Sequence, residues 1–287
     1  MTAERRKTHW SLRYALHLGY RSLEDPLFKA SVGTLDPVAH VRFAAELGFA
    51  GVLDPLALMR TPDEQTRIGE ALVKHDQEGG CVLYAPPQMA VAPLWGKSDA
   101  TSRDVLERQL CAAFEAARRV NSRKIAVVSG CDPALPRQIQ YAAAIQNLSW
   151  AGEFAARADM ILCVEAISPK SVPGMLFQHL LDSYMIVKAV DCPAVRLIFD
   201  TGHVQSADGD LIANLELTWD AIEIVQICDS PGRVEPGAGE LNLGNVLRIL
   251  RSKQYRGLVE LEHEWVRPGI DSERKGLHTL RQLDLQA

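Results

Sequence analysis

Four apolar runs in the second half of the chain contain side chains that can bind a hard cation. The runs read Ile161-Leu162-Cys163-Val164-Glu165, Leu197-Ile198-Phe199-Asp200, Ile224-Val225-Gln226 and Leu258-Val259-Glu260-Leu261-Glu262. If they are neighbouring strands of one barrel, alternate residues point inward and the strand ends converge. Glu165, Asp200 and Glu262 would then bring three carboxylates together, and like charges raise one another's pKa. A divalent cation resolves that conflict. With the Gln226 amide the donor set is all oxygen, which suits one Mg2+ or Mn2+ with positions left for water or substrate. Zinc, which prefers His and Cys, suits it less. Glu260 points to the same face as Glu262, one inward step away, and is the alternative ligand from the last strand.

The elements that must position these residues alternate along the whole chain. Strands are expected at residues 13–18, 51–55, 81–85, 124–129, 160–166, 196–201, 223–228 and 258–263, each a short apolar run with a polar, Gly or Pro break. Amphipathic segments lie between them. Asp36-Pro37 supplies an N-cap and a first-turn proline for a helix that runs to Leu47 and stops at Gly48. Further helices are expected over 101–120, 138–158, 175–189, 211–221, 241–252 and 271–283. Eight strands with intervening helices imply parallel pairing with both faces covered, and favour a single (β/α)8 TIM barrel over an open sheet. No G-x-G-x-x-G or Walker A sequence supports a nucleotide-binding open sheet. One domain over 1–287 is expected, with 1–11 as an N-terminal extension. The loops 86–100 and 229–240 would follow strands, on the face where barrel active sites sit.

Bulk composition narrows the class. The chain has 287 residues, 47% hydrophobic and 23% charged, which is ordinary for a globular enzyme. Net charge is −5 and the pI about 5.9, so there is no basic excess for phosphate contacts along a nucleic acid. The basic N-terminus lacks an apolar segment after it, no run reaches the length of a membrane span, and the six cysteines form no Cys-x-x-Cys pair. The expectation is a cytoplasmic protein with no membrane or nucleic-acid partner.

Three stretches carry a resemblance. Gln226-Ile227-Cys228-Asp229-Ser230-Pro231-Gly232-Arg233-Val234-Glu235-Pro236-Gly237-Ala238-Gly239-Glu240-Leu241 resembles Q-[IV]-A-x-x-P-G-R-x-E-P-x-x-G-E-[IL]. Asp200-Thr201-Gly202-His203 is similar to D-x-x-H, and Tyr255 to Glu262 to Y-x-G-x-[IV]-x-x-E. The turn Gly48-Phe49-Ala50-Gly51-Val52 fits as well. Together they resemble the xylose-isomerase-like barrels, and within them the hydroxypyruvate isomerase and ketose 3-epimerase group. The resemblance implies that Glu165, Asp200, Gln226 and Glu262 are metal ligands, that Glu165 and Glu262 are also the acid–base pair, and that His203 and Arg233 bind substrate oxygens. It also implies a homodimer or homotetramer. Departures are the Glu223-Ile224-Val225 stretch, where a His is usual before the Gln, and an unmatched 86–100 loop.

The implied chemistry acts on a small hydroxy-ketone, ketose or keto acid through a cis-enediolate. One Glu removes a proton beside the carbonyl and the other returns one, giving isomerisation or epimerisation. A lyase of the 3-dehydroshikimate dehydratase type is the alternative on the same scaffold. An abasic-site endonuclease or a non-catalytic sugar-binding barrel are more distant. His203 could instead be a helix-start histidine satisfied by backbone, and His17 a core residue. Trp95, Trp219 and Trp265 are candidates for an apolar pocket wall, although plain packing suits Trp219 better.

Overall fold

The computed structural model describes residues 9–287, and nine strands run through them. They are β1 (Arg13–His17), β2 (Gly51–Leu53), β3 (Glu78–Gly79), β4 (Val82–Leu83), β5 (Lys124–Val127), β6 (Ile161–Glu165), β7 (Val195–Asp200), β8 (Ile222–Ile227) and β9 (Leu258–Leu261). All pairs are parallel, in the order β3-β2-β1-β9-β8-β7-β6-β5-β4.

The two outer strands of that order are adjacent in the chain. Gly80 N donates to Val52 O at 2.8 Å and Leu83 N to Pro55 O at 3.0 Å, while Tyr84 N donates to Ala126 O at 3.0 Å. The segment thus bonds to both edges and curls the sheet round on itself. The expected third strand, 81–85, is in fact broken and begins earlier, at Glu78. The cause is a side chain from across the barrel. Glu260 Oε1 accepts the Cys81 amide at 2.9 Å, which takes that amide out of the ladder. A Cβ on Gly80 would lie 2.6 Å from the same oxygen, so glycine is needed at the break.

Helices cover the outside. Asp36 caps Pro37–Leu47 by accepting from Val38 N, and Gly48 ends it at φ 79°. Ala100–Arg119, Arg137–Arg157, Leu243–Ser252 and Ile270–Gln286 lie within a few residues of their expected bounds. The helix expected over 175–189 starts only at Leu180, because Met175 pairs with Gly130 in extended form. The helix Pro62–Lys74 was not anticipated, although Thr61-Pro62-Asp63-Glu64 forms a complete capping box. Of the expected extension, residues 1–8 lie outside the described residues. Trp10 packs on Tyr14 with ring centroids 5.0 Å apart, and Ser11 N donates to Asp284 at 2.9 Å.

Inside the barrel, strand alternation stacks side chains in layers. A middle layer of Leu53, Cys81, Ala126, Cys163, Ile198 and Ile224 is fully packed. One inward step towards the strand C-termini brings Glu165, Asp200, Gln226 and Glu262. One step the other way from Ala126 brings Lys124.

Candidate active site at the C-terminal mouth of the barrel

The D-T-G-H stretch shows how local sequence builds one side of the site. Asp200 is the last residue of β7 and the N-cap of helix Thr201–Ala207, and its Oδ1 accepts the His203 amide at 2.7 Å. That cap fixes the carboxylate and carries His203 into the cavity one turn later. Gly202 is required by close packing, since a Cβ there would meet Cys228 Sγ at 2.4 Å.

A cavity of about 380 Å3 opens above the middle layer, lined by Glu165, His203, Gln226, Arg233 and Glu262 among others. Asp200 lies just behind Arg233. The structure therefore brings all six expected residues to one place. One donor atom from each of Glu165, Asp200 and His203 lies within 4.8 Å of the others, and all three residues are buried. This buried group could hold a metal ion, and the imidazole adds a nitrogen donor that the all-oxygen expectation omitted. His203 Nε2 is 3.8 Å from Glu165 Oε1.

Arg233 is the internal counter-cation. Its Nη1 and Nη2 bond the two Asp200 oxygens at 2.9 Å each, and Nη2 reaches Glu262 Oε2 at 2.5 Å. It was expected to meet substrate oxygens, and it is 9% exposed and already paired with two carboxylates. Its backbone sits in the left-handed region at φ 54°, which is uncommon for a non-glycine residue. The 229–240 loop that holds it is organised by Asp229. The two carboxylate oxygens of Asp229 accept from Ser230 N (2.8 Å), Gly237 N (2.9 Å) and Leu241 N (2.9 Å). Asp229 went unrecognised in the sequence. Its position just past a strand end, before a Pro-Gly turn, was the available signal.

Two neighbours lack partners. Gln226 Nε2 donates to Glu260 Oε2 at 3.0 Å and approaches Glu262 Oε1 at 3.4 Å, while its Oε1 is buried without a hydrogen bond among the described residues. Glu165, 7% exposed, accepts no hydrogen bond from the described residues. A buried amide oxygen without a partner and an undonated carboxylate, from two residues lining one cavity, form a donor set that fits a hard cation.

Electrostatics follow from burial. Desolvation, then the Glu262 and Asp200 charges, push the Glu165 carboxyl well above its ordinary range. Burial raises Glu262 to about 8 against the pull of Arg233. Burial also acts to raise Asp200, but Arg233 and the His203 amide together hold it below the usual value. Burial lowers His203 to about 4, which keeps the imidazole neutral.

Glu260 and Glu262 part company. Glu262 lines the cavity, whereas Glu260 is fully buried one layer below and taken up by Cys81 N and Gln226. His17 lies at the mouth end of β1, with Nε2 3.0 Å from His263 O. The expected tryptophan wall is absent from this cavity. Trp95 is wholly buried against Tyr84, and Trp219 packs on Tyr255. Trp265 lines an adjoining cavity. The wall is instead aliphatic, from Val91, Val128, Ile167, Val172 and Met175, with Tyr20 and Arg21 at the rim.

Known proteins resemble this chain to different degrees. Hydroxypyruvate isomerase of Escherichia coli K12 is 28% identical over 156 residues, which cover 54% of this chain; the chain spans about 60% of that relative's length. A crystal structure titled AP endonuclease, family 2, from Brucella melitensis is 26% identical with a TM-score of 0.79, covering 94% of this chain and 98% of that one. The 3-keto-D-glucoside 4-epimerase of E. coli, at 17% identity and a TM-score of 0.74, covers 96% and 99% and shares the fold. Residues 41–283 match one family throughout, and the chain belongs to the Xylose isomerase-like TIM barrel family.

Proposed function

We propose that the chain is a divalent-metal-dependent isomerase or epimerase acting on a small hydroxy-ketone or ketose through a cis-enediolate. The observation that carries this reading is the pairing of an undonated Glu165 carboxylate with an unpartnered Gln226 Oε1 at one buried cavity. Glu165, Asp200, Gln226 and Glu262 would hold the ion, with His203 close enough to join them. One bound Mg2+ or Mn2+ would supply Lewis acidity toward the substrate carbonyl and hydroxyl.

The residues divide the remaining work. Glu165 comes from β6 and Glu262 from just past β9, so they reach the cavity from different sides. Glu165 takes the proton beside the carbonyl, and Glu262 returns one to the neighbouring carbon or to the opposite face of the same carbon. Burial that raises both carboxyls moves them toward the range useful for proton exchange near neutral pH. Arg233, through the part of the guanidinium not taken by Asp200 and Glu262, and neutral His203 hold substrate oxygens. The aliphatic wall excludes water around the reacting carbons.

Hydroxypyruvate isomerase among the relatives and an epimerase on the same fold support the reaction class. The similar structure from Brucella melitensis is named as a nuclease and raises another reading, but a net charge of −5 offers no basic footprint for DNA.

The test is direct. Metal-stripped protein titrated with Mn2+ by calorimetry should bind one ion per chain. Loaded protein incubated in D2O with hydroxypyruvate, and separately with small ketoses, should exchange the carbon-bound proton and form an isomer visible by NMR. Failure to bind Mn2+ would remove the metal assignment. Preferential conversion of 3-dehydroshikimate to protocatechuate would replace isomerisation with dehydration.

A further inference from the structure

A cavity of about 770 Å3 lies at the opposite end of the barrel from the candidate active site, where the strands begin. Its wall carries Arg13, Arg118, Arg123, Lys124 and Arg256 against Glu78, Asp159 and Glu223. Two of these cations are already matched. Arg13 pairs with Glu78 at 2.8 Å, and Arg123 pairs with Asp159. Arg118 donates only to the Ala158 carbonyl, at 3.1 Å, and the side chain of Arg256 has no partner among the described residues. Lys124, Arg118 and Arg256 therefore face a single remaining carboxylate, Glu223.

Lys124 is the decisive residue. It opens β5 and points inward in register with Ala126 and Val128, so its side chain enters the barrel axis from below. It is 8% exposed, yet its ammonium makes no hydrogen bond or ion pair with the described residues. Glu223 feels its charge from beyond ion-pair distance. Its stem is buried while its ammonium opens into the cavity without a protein partner, which leaves it free to pair with an anion that enters. The forked guanidinium of Arg118 and the point charge of Lys124 together suit a tetrahedral oxyanion rather than a flat apolar ligand.

We infer that the N-terminal end of the barrel is a second binding site, selective for a phosphate group and held chiefly by Lys124 with Arg118 and Arg256. Free inorganic phosphate and a small phosphate monoester are the two sources of that group, and both present the same anionic oxygens. The site is separated from the mouth of the barrel by the packed layer of Leu53, Cys81, Ala126, Cys163, Ile198 and Ile224, so its occupancy does not require a substrate or a metal.

Isothermal calorimetry and thermal unfolding of the full chain, with inorganic phosphate and with glycerol 3-phosphate as separate probes, test this. Sodium chloride at matched ionic strength serves as the control. Saturable binding at millimolar or tighter concentration, with a midpoint shift that chloride does not reproduce, is the expected result. Binding of only one probe identifies the source, and binding of both identifies the phosphate group itself. Lys124→Met keeps the stem volume and should weaken binding at least tenfold. Arg118→Gln, on the rim, should weaken it several-fold and provides the test if Lys124→Met does not fold. Mn2+ affinity at the barrel mouth should be unchanged in both variants. No saturable binding, a shift equal to that with chloride, or undiminished affinity in the folded variants would overturn the inference.

Discussion

The side-chain amide of Gln226 donates to Glu260 Oε2 at 3.0 Å across two adjacent strands whose Cα positions are in register. That bond decides which way the amide faces. With its nitrogen turned to Glu260 and Glu262, its oxygen is left pointing away without a donor. Glu260 also takes the Cys81 amide, so it is fixed from two sides and cannot easily turn upward. The buried carboxylate thus acts beneath the site as an orienting group, in the way that outer partners commonly orient a metal ligand.

Glu260→Gln should therefore weaken Mn2+ binding by about 10- to 100-fold, the usual effect of losing such an orienting partner. An amide at 260 can accept from Cys81 while presenting its own N–H to Gln226, which allows the Gln226 amide to flip. Calorimetric Mn2+ affinity checks this. Unchanged affinity would show that Gln226 orientation does not depend on Glu260.

Glu165→Gln should lower turnover by about 10²- to 10⁴-fold if this residue is the proton-transferring base. The amide nearly preserves volume, so the thermal midpoint of the metal-free protein should not fall. A midpoint that rises would follow from removing a buried carboxyl held far from its ordinary pKa by desolvation and by Glu262 and Asp200. Retained proton exchange in D2O would exclude Glu165 as the base.

Arg233→Lys should disrupt the doubly bonded contact with Asp200, because an ammonium cannot reproduce the two parallel N–H bonds. The expected outcome is a raised KM and a loss of about 1–3 kcal/mol in metal-free stability, from charged acceptors left partly unsatisfied. Denaturant unfolding with and without Mn2+ separates the two effects. If Arg233 serves only to bind substrate, stability will match the parent chain.

Asp229→Ala should loosen the loop that presents Arg233, since three backbone amides lose one acceptor group. A stability cost of about 1–3 kcal/mol is expected for losing part-buried bonds to a charged acceptor. Turnover should fall through KM more than Mn2+ affinity does. Hydrogen exchange at 230–241 would rise; protection equal to the parent would rule out Asp229 as the loop's organiser.

Glu273→Ala provides a contrast outside the residues that line the candidate site. This buried carboxylate accepts from Ala30 N at 2.8 Å and Ser31 N at 2.7 Å, joining the last helix to the segment after β1. Its loss should cost about 1–3 kcal/mol by the same reasoning and leave Mn2+ affinity intact. A matching drop in Mn2+ affinity would show that this edge of the barrel is coupled to the mouth.

Much of the architecture is written in local pattern. Short apolar runs broken by Glu165, Asp200 and Gln226 mark the strands and the side chains that end them, and Asp36-Pro37 with Gly48 brackets a helix. Asp200-Thr201-Gly202-His203 even specifies its own geometry, because an N-cap bond spans only three residues. Those features depend on neighbours in the chain. Depth along the barrel axis does not. Glu260 and Glu262 share a face, and strand direction puts Glu262 nearer the mouth, but only the stagger between β8, β9 and the broken β3–β4 segment decides that Glu262 lines the cavity while Glu260 is taken up by Cys81 and Gln226. The same holds for Arg233, whose pairing with Asp200 and Glu262 depends on how a loop folds back over the mouth. The unpaired Lys124 likewise has meaning only once the curled sheet encloses it. Sequence periodicity determines which side chains turn inward; packing between elements distant in the chain decides which of them meet, because charge and hydrogen bonding act over ångströms in space and not over positions in sequence.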